Sequence, residues 1–67
     1  MRILINGNHI DIPEQVETVE QLSAHLQIAN PHMIVEHNGD ILTKSAHSTA
    51  KLADGDKVEM VQFVGGG

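Results

Sequence analysis

The apolar residues of this chain fall into short runs divided by turn-forming residues, and one run alone has helical spacing. Arg2–Asn6 reads as a strand, closed by Asn6-Gly7-Asn8, whose residues tolerate the positive φ of a tight turn. His9–Ile12 then alternates, with Ile10 and Ile12 on one face and His9 and Asp11 on the other. The two runs make a hairpin, and Pro13, which has no amide hydrogen to donate, ends it. Glu14–Glu17 is a polar connection. Thr18-Val19-Glu20-Gln21 has the capping-box form and opens a helix. Val19, Leu22 and Leu26 form its apolar stripe, with Glu20, Gln21, Ser23 and Gln27 toward solvent. Pro31 places its end near Ala29-Asn30, because proline disfavours helical geometry at the residue before it.

His32–His37 is the next strand, and Asn38-Gly39 turns it into the short run Asp40–Leu42. Thr43–Ala50 is a polar loop with room for one short helical turn, and Leu52 anchors it to the core. Asp54-Gly55-Asp56 makes a turn, and a long β-branched run, Lys57–Val64, closes the domain at residues 1–64. A hairpin, one helix and further strands imply a two-layer α+β domain. The length and apolar character of the last run place it centrally, parallel to the first strand.

Composition narrows the function classes. Sixty-seven residues make one small domain near the lower limit for a single hydrophobic core, which disfavours a deep active-site pocket. With no cysteine there is neither a disulfide scaffold nor a thiol nucleophile. A net charge of −5 with four Lys and Arg argues against a phosphate-binding surface. The same charge fits either plain solubility or a basic patch on a protein partner. Ile3-Leu4-Ile5 is too short for the apolar region of a signal peptide, and no run approaches membrane-spanning length, so a cytoplasmic protein is expected.

After Val64 come Gly65, Gly66 and Gly67. Residues without a Cβ pack nothing and hold no fixed shape, so residues 65–67 are expected to form a flexible stalk carrying a carboxylate. From Val64 it would reach about 10 Å when extended. Terminal glycines alone also fit a frayed end. Here they follow a core-type strand directly, with no serine or affinity tag beside them.

In this setting the whole chain resembles the sulfur carriers of the ubiquitin-like β-grasp fold, the ThiS type in particular. The resemblance rests on the Ile3-x-x-Asn6-Gly7 hairpin, the Thr18-Val19-x-x-Leu22 helix start and Val35-x-x-Asn38-Gly39. It rests also on Asp54-Gly55-Asp56-x-Val58-Glu59 leading through Phe63-Val64 to the glycines. It implies a mixed sheet of four to five strands packed on one main helix. It also implies a carrier without enzymatic activity or bound cofactor, which partner enzymes use as a co-substrate. A ThiF-type enzyme would use ATP to adenylate the Gly67 carboxylate. Sulfur relayed from a cysteine desulfurase would convert it to a thiocarboxylate, and a ThiG-type thiazole synthase would accept that sulfur for the thiazole of thiamine. Gly65 and Gly66 would thread the partner's channel. Three terminal glycines rather than two is a small departure that makes Gly67 the reacting residue.

Phe63 is the candidate recognition anchor, with Val61 on the same strand face and Val64 beside it. Phe63 reads equally well as the residue that completes a small core. Three rivals stand beside the ThiS reading: a MoaD-type carrier for molybdopterin synthesis, a ubiquitin-like protein modifier, and an interaction module with an inert tail. The five histidines show no helical i, i+4 ligand pair, and His32 and His37 are expected on opposite faces of one strand. Asp54-Gly55-Asp56 lacks the ligand ladder of a calcium loop. Glu14, Glu17 and Glu20 read as a solvated acidic face.

Overall fold

The structure is a computed structural model that describes residues 1–28 and 33–61. The strands are β1 (Arg2–Ile5), β2 (Asn8–Asp11), β3 (Ile34–His37), β4 (Asp40–Ile41) and β5 (Lys57–Val61), with the helix α1 (Val19–His25) between β2 and β3. A 3₁₀ turn, Lys44–Ser48, lies between β4 and β5. The sheet order is β2-β1-β5-β3-β4. β5 therefore occupies the centre, parallel to β1 and antiparallel to β3, as its apolar length implied.

Two Asn-Gly turns build the hairpins. Asn6 and Gly7 have φ of 49° and 84°, and Asn38 and Gly39 have 49° and 91°. Positive φ at both central residues matches the twist of the flanking strands, and Asn and Gly reach it at least cost. One face of the sheet is covered. Ile3, Ile5, Val35, Val58 and Met60 from the strands are buried with Val19 and Leu22 of α1. Leu26 and Leu52 pack against this cluster, Leu52 holding the long loop down as expected.

The start of α1 is the capping box read from the sequence. The Gln21 amide donates to the Thr18 hydroxyl at 3.2 Å, while the Gln21 side chain accepts from the Thr18 amide at 3.1 Å. The helix end differs from expectation: α1 stops at His25, short of Ala29-Asn30, which lie outside the described residues. The cause is local. Gln27 adopts φ of 60°, its amide donates to Ala24 O at 3.1 Å, and the Ile28 amide donates to Ser23 O at 2.8 Å. These two bonds make a Schellman cap, which uses the last carbonyls before Pro31 can act. A left-handed glutamine carries steric strain that glycine does not. Gln27→Gly is expected to stabilise the fold by roughly 0.5 kcal/mol, less than the full strain because glycine also loosens the unfolded chain. A raised urea midpoint checks this; an unchanged or lower one contradicts it.

Two core members were not expected. Val16, inside the polar connection, is buried, and so is Ser23, assigned to the solvent side. Ser23 lies four residues after Val19 and so shares the flank of the stripe. Its hydroxyl is satisfied by donating to Val19 O and Glu20 O, both at 3.1 Å. β2 runs one residue earlier than expected, and Ile12 continues the ladder by exchanging bonds with Met1 at 2.7 and 2.9 Å. β4 ends one residue earlier than expected, at Ile41. The expected starts and ends of the third and fifth strands at His32, Phe63 and Val64 lie outside the described residues.

Candidate functional site

Alternation along β5 divides its side chains between two environments. Val58 and Met60 point into the core, so Lys57, Glu59 and Val61 point to the uncovered face. Val61, the last described residue of β5, is 53% exposed. Directly across the ladder lies Ile34 of β3, 38% exposed. Ile41 of β4 pairs with Glu36 and is 71% exposed, so it lies on the same face. These are the exposed large apolar residues among those described. Glu36 and Glu59 are register partners on this face, two carboxylates placed opposite each other. Lys57 offsets part of that repulsion through Nζ, 3.4 Å from Glu59 Oε1.

Each hairpin turn also sends a side chain to β5. After Asn6 N, which donates to Val58 O, the backbone leaves the ladder with β5, and the Asn6 side chain replaces it. The Met60 amide donates to Asn6 Oδ1 at 2.8 Å, and Asn6 Nδ2 donates to Met60 O at 3.2 Å. At the other end of β5, on its β3 side, the Lys57 amide donates to Asn38 Oδ1 at 2.8 Å. Sequence reading used both asparagines only for their φ. The signal for more was the choice of Asn over Asp at both turns, since an amide both donates and accepts: Asn6 does both with Met60, and Asn38 accepts from Lys57 while donating to Asp56.

The start of β5 is held by a carboxylate. Asp56 accepts from His37 Nε2 at 2.7 Å, Asn38 Nδ2 at 3.1 Å and the Ala53 amide at 2.9 Å. The His37 and Asp56 side chains are only 17% and 15% exposed. Burial would raise the Asp56 carboxyl, but the bonds from His37, Asn38 and Ala53, with the charge of His37, hold it below its ordinary 3.8. Next to it, Asp54 Oδ1 accepts from the Arg2 amide at 2.7 Å. The Asp-Gly-Asp turn thus ties β1, the β3–β4 turn and β5 together. His37 is therefore a partnered side chain. His32 lies outside the described residues.

Of the residues singled out in the sequence, Val61 stands exposed as the last described residue of the central strand. Phe63, Val64, Gly65, Gly66 and Gly67 lie outside the described residues. Among the described residues no group of three His, Asp or Glu side chains is placed to hold a metal ion. A shallow groove bordered by Arg2, Leu4, His9, Asp54 and Gly55 presents no nucleophile with a base beside it. What the arrangement does provide is a central strand held on both sides and bordered by an open apolar face.

The description "ThiS family" belongs to the family model that matches residues 2–67. A sulfur carrier protein ThiS from Bacillus subtilis (strain 168) is 36% identical over 63 residues, 94% of this chain and 96% of that protein. A thiazole synthase from Paramagnetospirillum magneticum (strain ATCC 700264 / AMB-1) is 37% identical over 67 residues, the whole of this chain but 20% of that protein. Among solved structures, the crystal structure of a thiamine biosynthesis protein (ThiS) from Geobacter metallireducens has a TM-score of 0.84 at 32% identity, with both chains fully covered. A solution structure of a thiamine biosynthesis protein from the same organism has a TM-score of 0.80 at 34% identity, covering all of this chain and 88% of that one.

Proposed function

This chain belongs to the ThiS family and has its ubiquitin-like β-grasp fold, and from that premise we propose that it carries sulfur on the carboxylate of Gly67 for thiazole formation. A carboxylate oxygen of Gly67 attacks the α-phosphorus of ATP in a ThiF-type enzyme, releasing pyrophosphate and leaving an acyl-adenylate. Hydrosulfide then attacks the acyl carbon, a C–S bond forms, and AMP leaves with the C–O electron pair. The product is a thiocarboxylate. The sulfur comes through a desulfurase relay in which a thiol reduces the persulfide to the level of sulfide. ATP is a substrate of the activating enzyme, and the carrier contributes no acid or base to either step.

The observation that carries this reading is the family match over residues 2–67, which spans all the elements described and the terminal glycines. The match of the whole chain to one fifth of a thiazole synthase supports a ThiG-type acceptor, since that polypeptide holds a segment of this kind beside the rest of its length. The sheet geometry fits the role. β5 leads from the core to Val61, and six residues from there reach Gly67, a span of roughly 20 Å when extended. Val61, Ile34 and Ile41 offer a partner an apolar contact. The opposed Glu36 and Glu59 favour a partner with a basic residue there and disfavour a second copy of the same face.

The test is intact mass after incubation with a ThiF-type activator, ATP and a sulfur source. The expected result is a gain equal to exchanging one oxygen for one sulfur, localised to Gly67. Adenylation that never proceeds to sulfur exchange would point instead to a protein modifier. No reaction with a competent activator would leave an interaction module with an inert tail.

A further inference from the structure

We infer that Asn6 is a positioning residue that fixes the root of the reactive segment, so that docking of the sheet face also places the tail; this rests on the carrier reading above. The backbone of β1 pairs with β5 through Asn6 N, which donates to Val58 O at 3.0 Å, and there the main-chain ladder on that side ends. Asn6 then turns away at φ of 49° to enter the hairpin. Without its side chain, the Met60 amide and carbonyl, both of which point to the β1 side, would lose their partner, because Val35 faces Met60 across β3 in register but bonds the other way, to the Leu42 amide. With it, both polar groups of the Met60 peptide positions are paired, at 2.8 and 3.2 Å, one residue before Val61. The side-chain amide acts as one more rung of the parallel ladder.

The consequence for transfer is entropic. Each residue that frays from β5 must be ordered again when a partner's site takes Gly67, and ordering one backbone residue is a real cost. Fixing Met60 through Asn6 avoids that cost for the described residues of β5. The docking residues Val61, Ile34 and Ile41 are untouched by Asn6, so loss of the rung is felt in tail placement and not in encounter. Asn38 provides the comparison inside the same molecule. It occupies the same kind of turn, at the same φ, and bonds β5 at Lys57, the end remote from the tail.

The experiment compares Asn6→Gly and Asn38→Gly in the full chain as substrates for adenylation by a ThiF-type enzyme, well below either melting temperature. Glycine tolerates the positive φ, so each change removes the side-chain bonds without straining the turn. Asn6→Gly is expected to lower kcat about ten-fold, the worth of one good hydrogen bond, with KM for the carrier within about two-fold. Asn38→Gly is expected to leave kcat within about two-fold. Amide exchange at Met60 should accelerate in Asn6→Gly and not in Asn38→Gly. Asn6→Asp, which keeps the acceptor for the Met60 amide, should recover part of the lost kcat. Equal kcat for Asn6→Gly and the unmutated chain overturns the inference alone. An equal fall in both glycine variants also overturns it, because that marks general loosening of the sheet. An unmutated chain that a competent activator does not adenylate overturns the carrier reading and this inference with it.

Discussion

Asp56→Ala will unfold the domain more readily than any other change to an incompletely buried residue described above, with a loss of about 3 kcal/mol at neutral pH. Three donors converge on that carboxylate, from His37, Asn38 and the Ala53 amide. Truncation leaves all three without their acceptor, and the His37 ring and its partner are mostly shielded from water. A domain of this size has a total stability on the order of 3–10 kcal/mol, so the loss takes a large share. Asp56→Asn keeps the shape and one acceptor oxygen and should cost about half as much. The pH dependence has a definite sign. The folded carboxyl lies below its ordinary 3.8, so its contribution is fully present above that value and fades as pH falls through the folded pKa. Urea melts of both proteins at pH 7 and at pH 3 check this. The gap between them should narrow at the lower pH, and a gap that is constant or wider would mean the carboxylate is not the stabilising form.

The same cluster shows what the sequence makes legible and what it hides. Local signals were sufficient wherever one peptide unit decides the outcome. Asn6-Gly7 and Asn38-Gly39 marked the turns, Thr18 to Gln21 marked the helix start, and the β-branched run Lys57–Val64, described as strand over Lys57–Val61, marked the central strand. The end of α1 was missed because a left-handed Gln27 replaces the glycine that normally announces a Schellman cap. Ser23 and Val16 were missed because burial of a polar flank or a connection depends on what packs over it, and for the connection that is a distant segment, whose Ala50 and Leu52 pack against the cluster that holds Val16. Asp56, His37 and the asparagine side chains pair across sequence separations of up to 54 residues. No window of residues contains such pairings. They follow only once the strand order is known, and the order β2-β1-β5-β3-β4 is what brings both Asn-Gly turns against one strand. The site itself divides the same way. The proposed reacting end is an expectation read from Gly65, Gly66 and Gly67, which lie outside the described residues, while the open face beside Val61 needed the register of Ile34 with Val61.

Val61→Asp is expected to raise KM for adenylation about thirty-fold while changing stability by less than about 1 kcal/mol. The stability side follows from exposure: Val61 is 53% exposed, so little core packing is lost. The binding side follows from neighbours. A carboxylate at this point would lie among Glu36, Glu59 and the exposed Ile34, wetting an apolar contact and adding a third negative charge. Val61 also precedes Gly67 by six residues, so its effect alone could arise from the tail or from the face. Ile34→Asp separates the two, because Ile34 faces Val61 across the sheet but belongs to a different strand. If the open face is the docking surface, both variants raise KM and leave kcat within about two-fold, the pattern of lost uniform binding. If Val61 acts only where the tail enters the partner, Ile34→Asp behaves as the unmutated chain while Val61→Asp lowers kcat. An unchanged KM in both would exclude this face as the docking surface. Steady-state kinetics with a ThiF-type enzyme at fixed ionic strength gives the answer, and repeating them with a ThiG-type acceptor shows whether the two partners read the same face. One carrier that visits both enzymes in turn needs only one such face, provided each releases it before the other binds.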